Sequence, residues 1–219
     1  MNNTELRNLI KNGENLTVEF KQRFSTFEKI AKEIIAFANT RGGIIIFGVN
    51  DDRTISGVES EKEIVELLTQ TIDNFCEPHP KFDIHYFEIK NKELVVVKIF
   101  ESEIKPVRMQ DYKNQFDLNT AKVYVRVNDK SVPASKEMIK ILQANSTQKK
   151  LQHYEVGKNE KLVFNFLDKH EFVTVKQFCE FANISRRRAS RTLIKLVRAN
   201  VLTIHTKENG ENYFTYSGQ

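Results

Sequence analysis

Tryptophan is absent from the 219 residues, and cysteine nearly so. The two cysteines, Cys76 and Cys179, stand far apart with no Cys-x-x-Cys spacing. That excludes a disulfide-stapled scaffold and a zinc finger, and it fits a reducing compartment. His79, His85, His153, His170 and His205 are scattered, so no histidine-based metal site is expected. No apolar run approaches the roughly 20 residues that a membrane helix needs. The opening MNNTELRNLI lacks the charged-then-apolar pattern of a secretory signal. The expectation is a cytoplasmic protein without a membrane partner. Internal repeats and low-complexity tracts are also lacking.

What is present is ordinary globular material. Hydrophobic residues make up 40% and charged residues 29%, with 16 Phe and 6 Tyr to build cores. The length suits one large domain or two small ones. Charge is divided unevenly. Residues 157–219 hold 11 Lys and Arg against 6 Asp and Glu, while the preceding 156 residues hold 23 of each. The whole formal charge of +5 therefore lies in the C-terminal part. A neutral body with a basic end suggests that the end meets a polyanion.

The pattern along the chain predicts a mixed α/β domain over residues 1–143, a polar linker over 144–158 and a small domain over 159–219. In the first domain a helix begins near Thr4 and stops at Asn12-Gly13. A strand TVEFK follows. Next comes a helix with Phe27, Ile30, Ile34, Phe37 and Ala38 at helical spacing, capped by Ser25 or Thr26. The apolar run 44–49 predicts a central strand buried on both faces. A helix near 60–75, a hairpin of strands near 82–89 and 93–99, a strand over 121–127 and a helix over 135–143 complete the domain.

The C-terminal part predicts three helices and then a hairpin whose turn carries Asn209-Gly210. That is the order of a winged helix-turn-helix. Ser185 is positioned to cap the third helix, and Ala189, Leu193, Leu196 and Val197 form its apolar face. Arg187, Arg191, Lys195 and Arg198 lie near the opposite face, with Arg186 and Arg188 flanking its start. A recognition helix presents such residues to bases and phosphates in the major groove, where the planar fork of arginine binds bidentately. The candidate contacts are Arg186, Arg187, Arg188, Ser190, Arg191, Lys195 and Arg198. Duplex DNA is the favoured polymer, because the major groove of an RNA duplex is too narrow for a helix. Structured RNA is the alternative.

Near the N-terminus, ENLTVEFK places Thr17, Glu19 and Lys21 on one face of a strand and Val18 and Phe20 on the other. Surface strands share this pattern with nuclease sites, which hold a cation with carboxylates near a lysine. Asp51 and Asp52 sit in a turn that favours aspartate on its own account. Gly42-Gly43 ends a helix instead of starting one, so it lacks the geometry of a phosphate-binding loop and no ATPase is expected.

Several stretches recur together: Glu14 with Glu19-Phe20-Lys21, AFANTRGG at 36–43, IIFGVND at 45–51, ISGV at 55–58, Lys105-Pro106-Val107, and YVRV at 124–127 with Ser131, Ala134 and Ser135. This set, over roughly residues 5–143, resembles the AlbA-like domain of the Schlafen family. The resemblance implies an α+β domain often joined to a winged helix in transcriptional regulators. Some members cleave RNA with three carboxylates around a divalent metal. By motif those positions are Glu14, Glu19 and Asp51, with Asp52 as the near alternative. They would hold Mg²⁺ or Mn²⁺, with Lys21 neutralising the attacked phosphate. Those nucleases pair two such domains, whereas this sequence has one, so a homodimer would be needed for cleavage. The reading taken forward is a DNA-binding regulator, with a metal-dependent endoribonuclease as the alternative.

Overall fold

The first helix, α1 (Asn3–Asn12), is closed at its start by a reciprocal cap. The Asn2 side chain accepts the Glu5 amide, and the Glu5 carboxylate accepts the Asn2 amide. Gly13 ends the helix at φ +83°, a conformation that costs glycine nothing. There follow β1 (Val18–Lys21), α2 (Phe27–Asn39), β2 (Gly43–Phe47), α3 (Glu61–Phe75), β3 (Cys76–Glu77), β4 (Phe82–Ile89), β5 (Lys92–Ile99), β6 (Arg108–Met109), β7 (Tyr124–Val127) and β8 (Lys130–Pro133). Thr26 and Ser60 cap α2 and α3 by accepting the amides of Lys29 and Glu63. Then come α4 (Lys136–Ser146), α5 (Lys158–Leu167), α6 (Val175–Ala182), α7 (Arg186–Arg198), β9 (Leu202–Thr206) and β10 (Asn212–Tyr216). This computed structural model describes residues 1–113, 115–146 and 156–218.

Four strands form a mixed sheet in the order β1-β2-β5-β4. β1 and β2 are parallel, and the other pairs are antiparallel. β4 and β5 meet at Lys90-Asn91, both at positive φ, as a two-residue hairpin turn with right-handed strand twist requires. The run 44–49 predicted a strand buried on both faces, and β2 is one. Ile45 and Phe47 enter the core beneath α2 and α3, with Ile34, Leu68 and Val97. Ile46 enters the opposite core, with Leu6 and Ile10 of α1 and with Val18 and Phe20 of β1. β1 is an edge strand. Its alternation sends Val18 and Phe20 toward α1, which leaves Glu19 and Lys21 on the side of α2.

The chain divides into two compact units, Met1–Pro133 and Ala134–Gln219. The helix expected at 135–143 was assigned from sequence to the first domain; α4 instead falls in the second unit, where it packs against α7. The expected linker 144–158 begins inside α4, and its greater part lies outside the described residues.

In the second unit, the turn from α6 to α7 is built from Asn183 in the left-handed region and Ser185, whose hydroxyl accepts the Arg188 amide. Thr174 and Gln177 close the start of α6 as a capping box. β9 and β10 pair antiparallel, and Val173 bridges to Phe214, so a third short segment joins the hairpin. The core is Val163, Leu167, Val173, Phe178, Ala189, Leu193, Leu196, Leu202 and Phe214.

Gly42 and Gly43 make the tight entry to β2. A Cβ at Gly43 would lie 2.2 Å from the Phe37 ring, and one at Gly42 would lie 2.6 Å from the Ile99 carbonyl oxygen. The Phe37 ring is fully buried and cannot retreat into solvent. Gly43→Ala is expected to destabilise the protein by about 1–3 kcal/mol through overpacking. Equilibrium urea unfolding of the full chain checks this, with a shift of the midpoint to lower urea expected.

Candidate functional site

Arg126 projects from β7 into the space between β1 and α2, and its side chain is fully buried. One guanidinium nitrogen, Nη1, donates to Glu19 Oε2 at 2.9 Å, Glu33 Oε2 at 3.0 Å and Ser131 Oγ at 3.1 Å. The other, Nη2, donates to the Asn15 carbonyl at 2.8 Å. The guanidinium carbon lies 4.6 Å from the centroid of the Phe37 ring. Nε is buried without a partner among the described residues. Ser131 Oγ also donates to Glu33 Oε2, and Lys21 Nζ donates to Glu19 Oε1. Two cations and two carboxylates thus balance one another at the edge of the sheet. A buried arginine is tolerable only with such compensation.

This arrangement decides what Glu19 can do. Sequence reasoning offered it as a metal ligand together with Glu14 and Asp51. In the structure one carboxylate oxygen is held by Arg126 and the other by Lys21. Glu14 turns Oε1 to the Phe20 amide at 2.8 Å. Its carboxyl is pushed above the usual range, first by desolvation and then by the like charges of Glu19 and Asp51, against the pull of the Phe20 amide and Lys21. Glu14 therefore feels both of the other acids. Asp51 is exposed in the turn whose next residue, Asp52, accepts the Thr54 amide and hydroxyl; those hydrogen bonds hold the Asp52 carboxyl below its ordinary value. Among the described residues, no group of three His, Cys, Asp or Glu side chains is disposed to hold a metal ion. As arranged, Glu14, Glu19 and Asp51 do not form a three-carboxylate cradle of the kind Mg²⁺ or Mn²⁺ takes.

Arg126 and Glu33 were not singled out as a pair by sequence reasoning. The signal was an arginine between valines on a strand, which reads equally as a sheet-surface residue. Its carboxylate partners lie 107 and 93 residues away along the chain.

In the second unit, Arg186, Arg187, Arg188, Arg191 and Lys195 are all exposed on α7. None of these five has a salt-bridge partner among the described residues. Arg187, Arg191 and Lys195 are spaced four apart, so they line one stripe of the helix. Arg198 is half-buried at the end of that stripe. Ser190, expected as a contact residue, is 5% exposed and cannot reach a ligand on that stripe. Both it and Ile194 one turn later are buried, on a helix that α4 packs against.

Comparison with known proteins gives four findings. The family described as "Schlafen, AlbA_2" matches residues 14–135. An uncharacterized ATP-binding protein of Ureaplasma parvum serovar 3 is 33% identical over 136 residues, which is 53% of this chain and 38% of that protein, so this chain spans well under half of its relative. Among solved structures, a Corynebacterium diphtheriae protein covers 92% of this chain and 34% of its own at 16% identity, with a TM-score of 0.47. The N-terminal domain of a Nitrosomonas europaea protein, described as related to the ATP-dependent DNA helicase RecG, covers 57% of this chain and 87% of its own at 19% identity, with a TM-score of 0.42.

Replacing Arg126 leaves Glu19 and Glu33 facing each other without their shared cation. Arg126→Met is expected to lose about 3–5 kcal/mol of stability at neutral pH. The triple variant Arg126→Met, Glu19→Gln, Glu33→Gln should recover part of that loss, because it removes the stranded charges together with the arginine. Urea unfolding of the full-length variants measures both.

Proposed function

Because the chain belongs to the Schlafen AlbA_2 family, we propose that it is a nucleic-acid-binding protein whose second unit works as a winged helix-turn-helix, docking α7 in the major groove of duplex DNA as a transcriptional regulator does. The observation that carries this reading is the exposed, unpaired stripe of Arg187, Arg191 and Lys195 on α7. Cations kept in water cost little until a polyanion displaces the counterions around itself, and that release drives binding. The order of elements supports the same reading: a capped helix, a tight turn at Asn183–Ser185, the basic helix, and then a hairpin beside it. The N-terminal half of α7, which carries four of the arginines, is the part that a recognition helix turns toward bases.

The alternative is a metal-dependent endoribonuclease using Glu14, Glu19 and Asp51. It requires the three carboxylates to converge on one ion, with Glu19 shared between that ion, Arg126 and Lys21. No observation favours that rearrangement, so the binding reading is adopted.

Titration of duplex DNA in a gel-shift assay at several salt concentrations tests it. Arg187→Ala with Arg191→Ala is expected to weaken binding across sequences and to lower the salt slope by about 2, one for each phosphate no longer neutralised. Ser190→Ala should leave affinity unchanged, because the side chain is buried away from the stripe. Unaltered affinity and slope in the double variant would remove α7 from the interface. Binding confined to structured RNA would replace the proposed polymer.

A further inference from the structure

The outward face of the hairpin carries a second constellation, separate from the α7 stripe. Val173 and Phe214 exchange both backbone hydrogen bonds, and both side chains are buried inward. Alternation then turns Phe172 outward beside β10, where Tyr213 and Thr215 face the same way. In the strand register Tyr213 stands opposite His205, and the two rings stack at 4.8 Å and 14°. Phe172 meets Tyr213 edge to face at 5.4 Å and 65°. Two aromatic walls at a steep angle thus border a pocket of about 380 Å³ lined by Glu171, Phe172, Lys207, Tyr213 and Thr215.

An ammonium group already sits there. Lys207 Nζ lies 5.5 Å from the Phe172 ring centroid and 5.8 Å from that of Tyr213. Both distances are within cation–π range, and the negative ring faces attract the charge. Lys207 is otherwise exposed on a turn, so its head group is free to swing away. We infer that this face is a binding pocket for an alkylammonium side chain of a partner protein, and that Lys207 fills it as a stand-in until the partner arrives.

Charge favours a cation over a nucleobase carrying its phosphate. Glu171 lines the pocket beside Lys207. A phosphate brought to this pocket would meet the Glu171 carboxylate beside the ammonium. Partial burial lowers the pKa of His205, which disfavours a charged ring stacked on Tyr213. The inference does not depend on DNA binding by α7, since the pocket is built from different residues and selects the opposite charge.

The test uses the full chain and tetramethylammonium as the probe, with sodium chloride at equal ionic strength as the control. Ring-proton NMR shifts of Phe172 and Tyr213 should saturate with tetramethylammonium alone. Lys207→Ala should bind about two- to fivefold tighter, because the competing ammonium is gone. Phe172→Ala should abolish the shifts, and Glu171→Gln, which leaves the aromatic walls intact, should weaken binding. A short peptide carrying trimethyllysine should reproduce the shifts where its glutamine counterpart does not. Absence of saturable shifts in both wild type and Lys207→Ala would overturn the proposal. So would shifts given by uridine monophosphate and not by tetramethylammonium, which would make the face a base-stacking platform. A peptide that fails while tetramethylammonium binds would overturn the choice of a polypeptide partner.

Discussion

The Arg126 guanidinium is the point at which the first unit is tied together. It reaches from β7 to the backbone before β1, to Glu19 on β1, to Glu33 on α2 and to Ser131 on β8. Its own backbone amide donates to Thr40 Oγ1 just past α2. No apolar side chain could replace it there, because the groups around it are carboxylates and carbonyl oxygens that need a donor. The desolvation of one arginine is offset only when all of its partners are in place. The short β7–β8 hairpin is therefore held to the sheet edge by charge and hydrogen bonding, in addition to the packing of Val125 and Val132. Asn39 adds a second polar tie, donating to the carbonyls of Val107 and Tyr124 and accepting the Val107 amide.

This constraint has a chemical consequence. A carboxylate that neutralises a buried arginine has part of its charge already compensated, which leaves less of it to attract a divalent cation. Glu19 is placed where a catalytic carboxylate is expected by resemblance, and there it also ties β1 to Arg126. Lys21, offered as a partner of an attacked phosphate, is paired with the same glutamate. Burial first, and the neighbouring acids after it, raise the pKa of Glu14. Helix α7 shows the opposite arrangement. Arg186, Arg187, Arg188, Arg191 and Lys195 stand in solvent with no carboxylate partner among the described residues, so their charge remains available to an external polyanion.

Much of the fold was legible in the sequence. The caps at Thr26 and Ser185, the hairpin joint at Lys90-Asn91 and the doubly buried strand β2 all follow from residue type and spacing. These features depend on neighbours within a turn or two of the chain, where a short window holds the information. The basic stripe of α7 was legible for the same reason. Ser190 was misread because helical spacing gives a residue's direction but not whether a neighbouring element covers it, and the structure buries it. The membership of α4 in the second unit was likewise hidden, because an amphipathic helix between two domains carries an apolar face that either could bury.

Periodicity, cap chemistry and charge balance by themselves determined the kind and order of the elements, the alternation of Glu19 against Val18 and Phe20, and the concentration of positive charge at the C-terminal end. The tertiary structure alone decided which charges cancel. Arg126 meets Glu19 across 107 residues and Glu33 across 93, and only closure of the sheet edge brings them within hydrogen-bonding distance. Local sequence fixes where a side chain points on its own element. Coulomb energy and desolvation depend on what else arrives there, and that is settled only when the elements pack.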